Sequence, residues 1–154
     1  MIIVFLWLMK TSLIQNAFRV LLGLAMVLAG TAHLTIKRKE FQAQVPRWLP
    51  EDPRLTDFIV VSSGIVEIMM GLAMIFPGKR KVHIGLALGM FYVLVFPGNI
   101  SQYTNHISAF GLDTDKKRFI RLFFQPVLII WALWSSGALK YLMEKRKEKA
   151  LPKG

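Results

Sequence analysis

The sequence contains no cysteine, and only 9 of its 154 residues are acidic. The absence of thiols excludes disulfide bonds, thiolate catalysis, iron–sulfur ligation and cysteine-based zinc sites within this chain. The shortage of acids, set against 20 Lys and Arg residues, leaves a net charge of +11. Such a charge indicates nucleic acid only where it forms a basic face on a soluble module. Here the basic residues stand between and after apolar runs, where anionic lipid headgroups account for them, so no nucleic acid is expected as a partner.

Four apolar runs dominate the chain. Each approaches the length of about 20 helical residues that crosses ~30 Å of hydrocarbon, and flanking residues can extend each run. Because backbone polar groups cannot stay unpaired in lipid, the runs are predicted to be helices rather than strands. We therefore expect an all-α, membrane-embedded four-helix bundle, one domain over 1–154 with a basic C-terminal tail at 140–154. The predicted helices cover residues 17–34, 58–76, 82–100 and 122–139.

The N-terminus and the basic residues predict the topology. Residues 1–9 are apolar but too short to span, and because Lys10 follows them, whereas a secretory signal leads with positive charge, we expect this segment to be retained. Cleavage after Ala32 is the alternative. Four spans put both termini on one face, which carries eleven of the 20 Lys and Arg residues against nine on the other. The positive-inside rule then favours cytoplasmic termini in a multi-pass protein of the cell membrane.

Glu67 is the most informative single residue. It stands in the middle of the second run, about 15 Å from either end at 1.5 Å per residue. An ionised acid at that depth costs about 3 kcal/mol on insertion scales, so Glu67 should face protein and be either protonated or paired with a cation. Ser63, Gly64 and Gly71 share its helix face. Such stripes of small residues let helices approach closely.

The polar residues of the other helices converge on Glu67. His33 ends the first helix, Asn99 ends the third, and Arg121 and Gln125 begin the fourth, so all four lie near the face of the first and third loops. The sequence therefore predicts a polar cavity that opens toward that face and ends at a carboxyl group. Its candidate residues are His33, Ser63, Glu67, Asn99, Arg121 and Gln125.

Each of these side chains also has a purely structural interpretation. Glu67 could fix helix register, His33 could meet headgroups, and the long side chain of Arg121 could reach a lipid phosphate. Asn99 and Gln125 stand close to prolines and could satisfy backbone groups that proline frees. In the first loop, an apolar stretch around Trp48 is predicted to be a short interfacial segment that could fold over the cavity as a lid.

Metal and haem sites have little support in the sequence. Only His33 and His106 could face each other as haem ligands, and His106 lies in a loop, while His83 falls at the opposite end. No metal site is predicted, because ligand pairs at helical spacing are lacking. Residues 96–99, Phe-Pro-Gly-Asn, are interpreted as a helix end and not as a phosphate-binding loop.

A set of short motifs, in order along most of the chain, resembles the DoxX-like family of small bacterial membrane proteins. The motifs are Ala29-Gly30-Thr31-Ala32-His33, Phe41, Val45-Pro46 with Leu49-Pro50, Ser63-Gly64 with Glu67 and Gly71, Val95-Phe96-Pro97-Gly98-Asn99, and Gln125-Pro126 before Trp131-Ala132. The resemblance implies a four-helix membrane bundle. It also implies a link to redox chemistry, because named members include a subunit of a thiosulfate–quinone oxidoreductase and a membrane partner in oxidative-stress complexes.

The leading functional hypothesis is an accessory, non-catalytic subunit of a redox-linked membrane complex, with the bilayer and a redox protein as partners. A quinone-binding oxidoreductase component, in which His33 and Glu67 manage protons, is the first alternative. A small proton-coupled transporter that works as a homo-oligomer is the second. No cofactor is predicted from ligand residues, and a quinone is the one cofactor left open, since any electron transfer here needs a bound quinone or a partner's cofactor.

Overall fold

A computed structural model describes residues 10–150, so the expectation for residues 1–9 lies outside the described part of the chain. All regular structure between residues 10 and 150 is helical, which confirms the predicted all-α class. A 3₁₀ turn, Gly78–Arg80, precedes the fourth helix. The helices are α1 Leu13–Leu34, α2 Arg38–Ala43, α3 Pro53–Ile75, α4 Lys81–Thr104, α5 Asp115–Ser136 and α6 Ala138–Ala150.

Four of these helices, α1, α3, α4 and α5, are long and apolar enough to cross a membrane, which confirms the predicted four-helix bundle of a multi-pass membrane protein. Helix α1 packs chiefly on α3 and α4 chiefly on α5, and both pairs are antiparallel. The connections 35–52 and 105–114 therefore lie together at one end, called here the loop end. Residues 76–80 and α6 lie at the other, the tail end.

Three spans begin well before their predicted starts, because polar caps precede them. Ser12 and Gln15 form a reciprocal capping box at α1, in which each side chain accepts the other's backbone N–H. Asp52 caps α3, and Pro53 fills the first helical position, where its missing N–H costs nothing. Thr114 caps α5. The apolar runs are thus the lipid-facing parts of longer helices.

Two predicted helix ends are wrong. Helix α4 continues through Pro97 to Thr104, so residues 96–99 lie inside a helix instead of ending it. Proline is tolerated in a membrane helix when neighbouring groups satisfy the carbonyl that it leaves without a donor. Helix α5 stops at Ser136, because Gly137 takes the left-handed conformation (φ 80°) that commonly ends a helix. The basic tail then forms α6.

Glycine pairs bring α1 and α3 into backbone contact. A Cβ added to Gly30 would lie 2.5 Å from the carbonyl oxygen of Gly64, and one added to Gly71 would lie 2.7 Å from the carbonyl oxygen of Gly23. The two pairs are seven residues apart on each helix, so they recur on the same contact face. His33 and Glu67 lie on the helix faces next to these glycine contacts. Those faces point toward the other helix pair.

The two helix pairs meet through α1 and α5. The indole Nε1 of Trp131 donates to the carbonyl oxygen of Phe18 over 3.0 Å, and the two rings pack edge to face. A buried apolar cluster fills the space between the pairs toward the tail end. Its members are Leu22, Met26, Met74, Leu88, Tyr92 and Ala132.

Candidate functional site

A cavity of about 600 Å³ lies between the two helix pairs, in the half of the bundle nearer the loop end. Its walls combine aliphatic side chains with a few polar groups, which is the usual composition of a small-molecule site. The structure brings all six residues of the sequence-predicted cavity to its lining, and they are His33, Ser63, Glu67, Asn99, Arg121 and Gln125.

The cavity opens sideways between α3 and α4. These two helices have few direct contacts, and Ile59 and Leu94 line the cavity from either side of the gap. Leu94 is 69% exposed, and Trp48 of the first loop, which also lines the cavity, is 67% exposed. On the tail side the cavity ends at the apolar cluster, where the Tyr92 hydroxyl donates to the Met26 sulfur over 2.9 Å. The entrance therefore faces lipid.

His33, Ser63 and Glu67 form the deeper polar group of the cavity, called here the acid pole. The His33 Nε2 lies 3.3 Å from the Glu67 Oε2, and its Nδ1 lies 3.1 Å from the Ser63 Oγ. Both His33 and Glu67 are buried. Glu67 Oε2 has no well-aligned hydrogen bond among residues 10–150. The Oε2 atom is thus enclosed by protein beside His33, while the Glu67 side chain as a whole lines the cavity.

One pattern of hydrogen bonds accommodates all three side chains of the acid pole. The single hydroxyl hydrogen of Ser63 is donated to the Val60 carbonyl oxygen over 2.9 Å, so the Ser63 Oγ accepts from His33 Nδ1–H. With Nδ1 carrying a hydrogen, the neutral imidazole offers Nε2 as an acceptor to Glu67. In this pattern Nε2 and Oε2, 3.3 Å apart, can hold one proton between them, either on the acid or on the imidazole.

Arg121, Asn99 and Gln125 form a second polar group nearer the loop end, called here the arginine pole. Arg121 Nε donates to Asn99 Oδ1 over 3.2 Å, and Asn99 Nδ2 donates to Gln125 Oε1 over 2.9 Å. Gln125 Nε2 in turn donates to the carbonyl oxygen of Tyr92 over 2.6 Å. Pro97 leaves the neighbouring carbonyl, that of Val93, without its helical donor, so Gln125 bonds to the backbone of α4 next to the group that proline frees and not to that group itself.

Arg121 is a cation without a carboxylate partner. None of the ion pairs formed by residues 10–150 includes it. Its Nη2 donates weakly to Gln44 Oε1 over 3.4 Å, and its guanidinium lies 4.9 Å from the centre of the Phe110 ring. Neutral amide oxygens and an aromatic face hold the guanidinium in place without cancelling its charge, which leaves it free to interact with an electron-rich group.

The first loop covers the cavity at the loop end. The Phe41 ring of α2 packs on the His33 ring and makes an edge contact with Phe110 of the third loop. Helix α2 is fixed to α3 by a two-pronged Arg38–Asp57 pair, with Arg38 Nε donating to Oδ1 over 2.7 Å. The apolar stretch after α2 joins the lining through Val45, Pro46, Trp48 and Leu49. The first loop thus forms part of the cavity wall at the loop end.

Two glutamines that the sequence analysis missed join the first loop to α4. Gln44 Nε2 donates to Gln102 Oε1 over 2.5 Å, and Gln102 Nε2 reaches the carbonyl oxygens of Ile107 and Ala109. Gln102 is 1% exposed. The missed signal was its spacing, because Gln102 follows Asn99 by three residues and shares its helix face once α4 is allowed to continue beyond Pro97.

The remaining histidines lie outside the cavity. His106 Nδ1 lies 2.8 Å from Asp115 Oδ1 at the surface of the loop end, and His83 is exposed on α4 near the tail end. Among residues 10–150, no three His, Asp or Glu side chains group together as metal ligands. The two histidines considered for haem therefore bond to separate partners, His33 inside the bundle and His106 on its surface.

The greater part of the chain matches a known family model. Residues 22–136 match the domain of unknown function DUF8561, and this stretch contains α3, α4 and α5 whole, the part of α1 from residue 22 onward, and all six predicted cavity residues. No curated protein matches the chain. No solved structure matches it either. The chain belongs to the DUF8561 family.

Proposed function

We propose that this chain is an accessory subunit of a redox-linked membrane complex and that its part there is to bind a quinone. The observation that carries the proposal is the cavity, which is open to lipid, apolar in most of its wall and polar at two separate poles. A lipid-soluble molecule with a long apolar tail reaches such a site from the bilayer without crossing water.

The cavity fits the quinone class in size and in chemistry. Its volume of about 600 Å³ falls within the range of roughly 300–1,000 Å³ typical of small-molecule sites. A quinone head carries two carbonyl oxygens on opposite sides of a ring, and both are hydrogen-bond acceptors. The acid pole and the arginine pole each supply donors, and the gap between α3 and α4 leaves room for the tail.

A bound quinone supplies electron transfer coupled to proton uptake, which this chain cannot supply from its own side chains. The residues of the chain bind, orient and hold protons. Arg121 and Asn99 hold one end of the head, the proton shared by His33 and Glu67 stands at the other end, and Phe41 keeps water out at the loop end. Because the chain has no cysteine, a partner protein that carries its own cofactor supplies the electrons.

The resemblance to the DoxX-like family supports this redox link. Several motifs that carry the resemblance fall on the cavity, since His33, Phe41, Ser63 and Glu67 line it together with residues 97–99. The same proposal places the chain in a bacterial cell membrane, in contact with a redox protein.

A cavity-filling substitution tests quinone binding. Ala25 lines the cavity and is exposed to its interior, so Ala25→Phe places a ring inside it, whereas Ala87→Phe places the same ring on an exposed face of α4 away from the cavity. We expect quinone to co-purify from native membranes in mild detergent with the wild type and with Ala87→Phe. Ala25→Phe should retain about tenfold less, a loss of roughly 1.4 kcal/mol in binding. Equal retention by both variants, or no quinone in any preparation, contradicts the proposal.

A proton-coupled transporter is the second candidate, and the proton shared by His33 and Glu67 inside the bundle favours it. Intramembrane ionisable residues commonly belong to proton relays. The purified protein in liposomes with an internal pH-sensitive dye should then dissipate a pH gradient, and Glu67→Gln should not. A tight vesicle with the wild type, together with bound quinone, rejects the transporter.

The proposal also includes an orientation with both termini in the cytoplasm, which turns the loop end outward. Because the chain has no cysteine, single introduced thiols can map it without background. Arg47→Cys in the first loop should react with an impermeant maleimide on intact cells. Lys147→Cys in α6 should react only after lysis, and the reverse pattern overturns the orientation.

A further inference from the structure

A second cavity, of about 490 Å³, lies on the outer side of α5 at the loop end. It is called here the outer groove. Asn99, Arg121, Gln125 and Leu128 line both the outer groove and the central cavity, so the arginine pole forms the wall between them. Leu112, Lys117, Ile120 and Phe124 line only the outer groove. The last three recur at helical spacing along one face of α5.

The groove has a strong positive end. Lys117 lies in the first turn of α5 and Arg121 one turn deeper, which places both near headgroup depth. Lys117 donates to Asp113 on the exposed side, over 2.7 Å, but Arg121 has no acid partner and its Nη1 makes no hydrogen bond within residues 10–150. The segment 113–121 holds four basic residues and two acids, so it keeps a surplus of positive charge.

Below the cations the groove becomes apolar and lies open to lipid. Ile120 is 47% exposed and Phe124 is 61% exposed, and Leu128 continues the same face one turn further. A molecule that fills this groove therefore needs an anionic group at headgroup depth and an apolar chain that runs toward the centre of the bilayer. A phosphate is a good match for the guanidinium of Arg121, which can donate two parallel hydrogen bonds.

We infer that the outer groove binds an anionic phospholipid, with its phosphate at Lys117 and Arg121 and one acyl chain along Ile120 and Phe124. Because Arg121 also belongs to the wall of the central cavity, a lipid held there would fix the position of the arginine pole. The inference does not depend on quinone binding, since four of the groove residues do not line the central cavity.

Thermal stability measured against added lipid tests the inference. The full chain is delipidated in non-ionic detergent and titrated with dioleoyl phosphatidylglycerol, dioleoyl phosphatidylcholine or inorganic phosphate. We expect the anionic lipid to raise the melting temperature in a saturable manner and the other two to have little effect. An equal effect of phosphatidylcholine removes the anionic requirement, and saturation by inorganic phosphate alone shows a free-anion site instead of a lipid site. Either result overturns the inference.

Matched variants locate the effect in the groove. Lys117→Gln should weaken the apparent affinity for phosphatidylglycerol about fivefold, as expected for one basic residue near anionic lipid, whereas its exposed neighbour outside the groove, Lys116→Gln, should change it little. Phe124→Ala should also weaken it, while Phe123→Ala, equally exposed at 59% but outside the groove, should not. Equal effects within either pair mean that the lipid acts through general surface charge or general lipid contact, which refutes the site.

Discussion

Replacement of Gly30 by alanine is the most direct test of how the bundle is held together. The new Cβ would lie 2.5 Å from the carbonyl oxygen of Gly64 and 3.0 Å from the Cβ of Glu67. Carbon and oxygen atoms in close helix contacts stand about 3.3 Å apart or more. Because the limiting atom belongs to the backbone of α3, no side-chain rotation can relieve the contact, and α1 and α3 must separate by about 0.8 Å.

Such a separation weakens the whole helix contact. A gap of about 0.5–1 Å loses roughly a quarter to a half of the dispersion energy of the atoms that face it, and overpacking of a closed interior costs about 1–3 kcal/mol. Alanine recovers up to about 1 kcal/mol over glycine through its higher helix propensity. We therefore expect Gly30→Ala to lower the free energy of unfolding by about 1–2 kcal/mol.

Gly89→Ala is the matched control, because its Cβ meets only the side chain of Leu133, at 3.2 Å. A leucine side chain can adjust by a few tenths of an ångström, so this variant should stay within about 0.5 kcal/mol of the wild type or gain stability. Unfolding in mixed micelles titrated with dodecyl sulfate, followed by tryptophan fluorescence, measures both. If Gly30→Ala is as stable as Gly89→Ala, backbone contact between α1 and α3 does not hold this bundle together.

Two further predictions concern charges near the two ends of the bundle. Arg19 donates to the last two carbonyl groups of α3, so Arg19→Gln should lower the free energy of unfolding by about 2 kcal/mol. Lys10→Gln is the control, because Lys10 lies at the same end but is exposed, and it should have little effect. Equal unfolding curves for the two variants would contradict this prediction. Hydrogen bonds from Lys37 and from the Phe110 backbone N–H hold the pKa of Glu40 below its ordinary value of 4.5. This contact is complete above that value and is lost as the pH falls through the lower pKa of the folded state. The protection of the Phe110 amide hydrogen from exchange, measured relative to its intrinsic rate at each pH, should therefore fall in acid, and Glu40→Gln should abolish this change in protection.

The number and type of the spans could be predicted from the sequence, because a long apolar run in lipid must form a helix to pair its backbone polar groups. The helix starts could not be predicted from the apolar runs alone, since Ser12, Asp52 and Thr114 begin their helices outside hydrocarbon. Polar caps of this kind are readable signals, but hydropathy does not register them. The end at Gly137 is also a backbone signal, and hydropathy did not reveal it because apolar residues, Ala138 and Leu139, continue after it.

The polar lining could be predicted because each polar residue inside a span must face protein. That argument pointed to His33, Glu67 and Gln125, and all three line the cavity. The pairing of α1 with α3 could not be predicted in the same way, because the role of Gly23 and Gly30 depends on the glycines of α3 that they contact. In the structure Gly30 makes backbone contact with α3, and the polar face beside it lines the cavity.

The acid pole contributes both to the fold and to the proposed function, and substitutions of Glu67 can distinguish these two contributions. Glu67→Gln keeps a hydrogen to donate to His33 Nε2, so we expect it to unfold within about 1 kcal/mol of the wild type. Glu67→Leu leaves that buried nitrogen without a partner, which costs about 1–3 kcal/mol. The glutamine amide, however, cannot release its hydrogen, so the glutamine variant should still retain quinone from native membranes while the complex loses proton uptake at this site. If the leucine variant is as stable as the wild type, the pair contributes nothing to the fold. If the glutamine variant supports unaltered proton uptake, the carboxyl group has no part in the chemistry, and the cavity only holds its ligand.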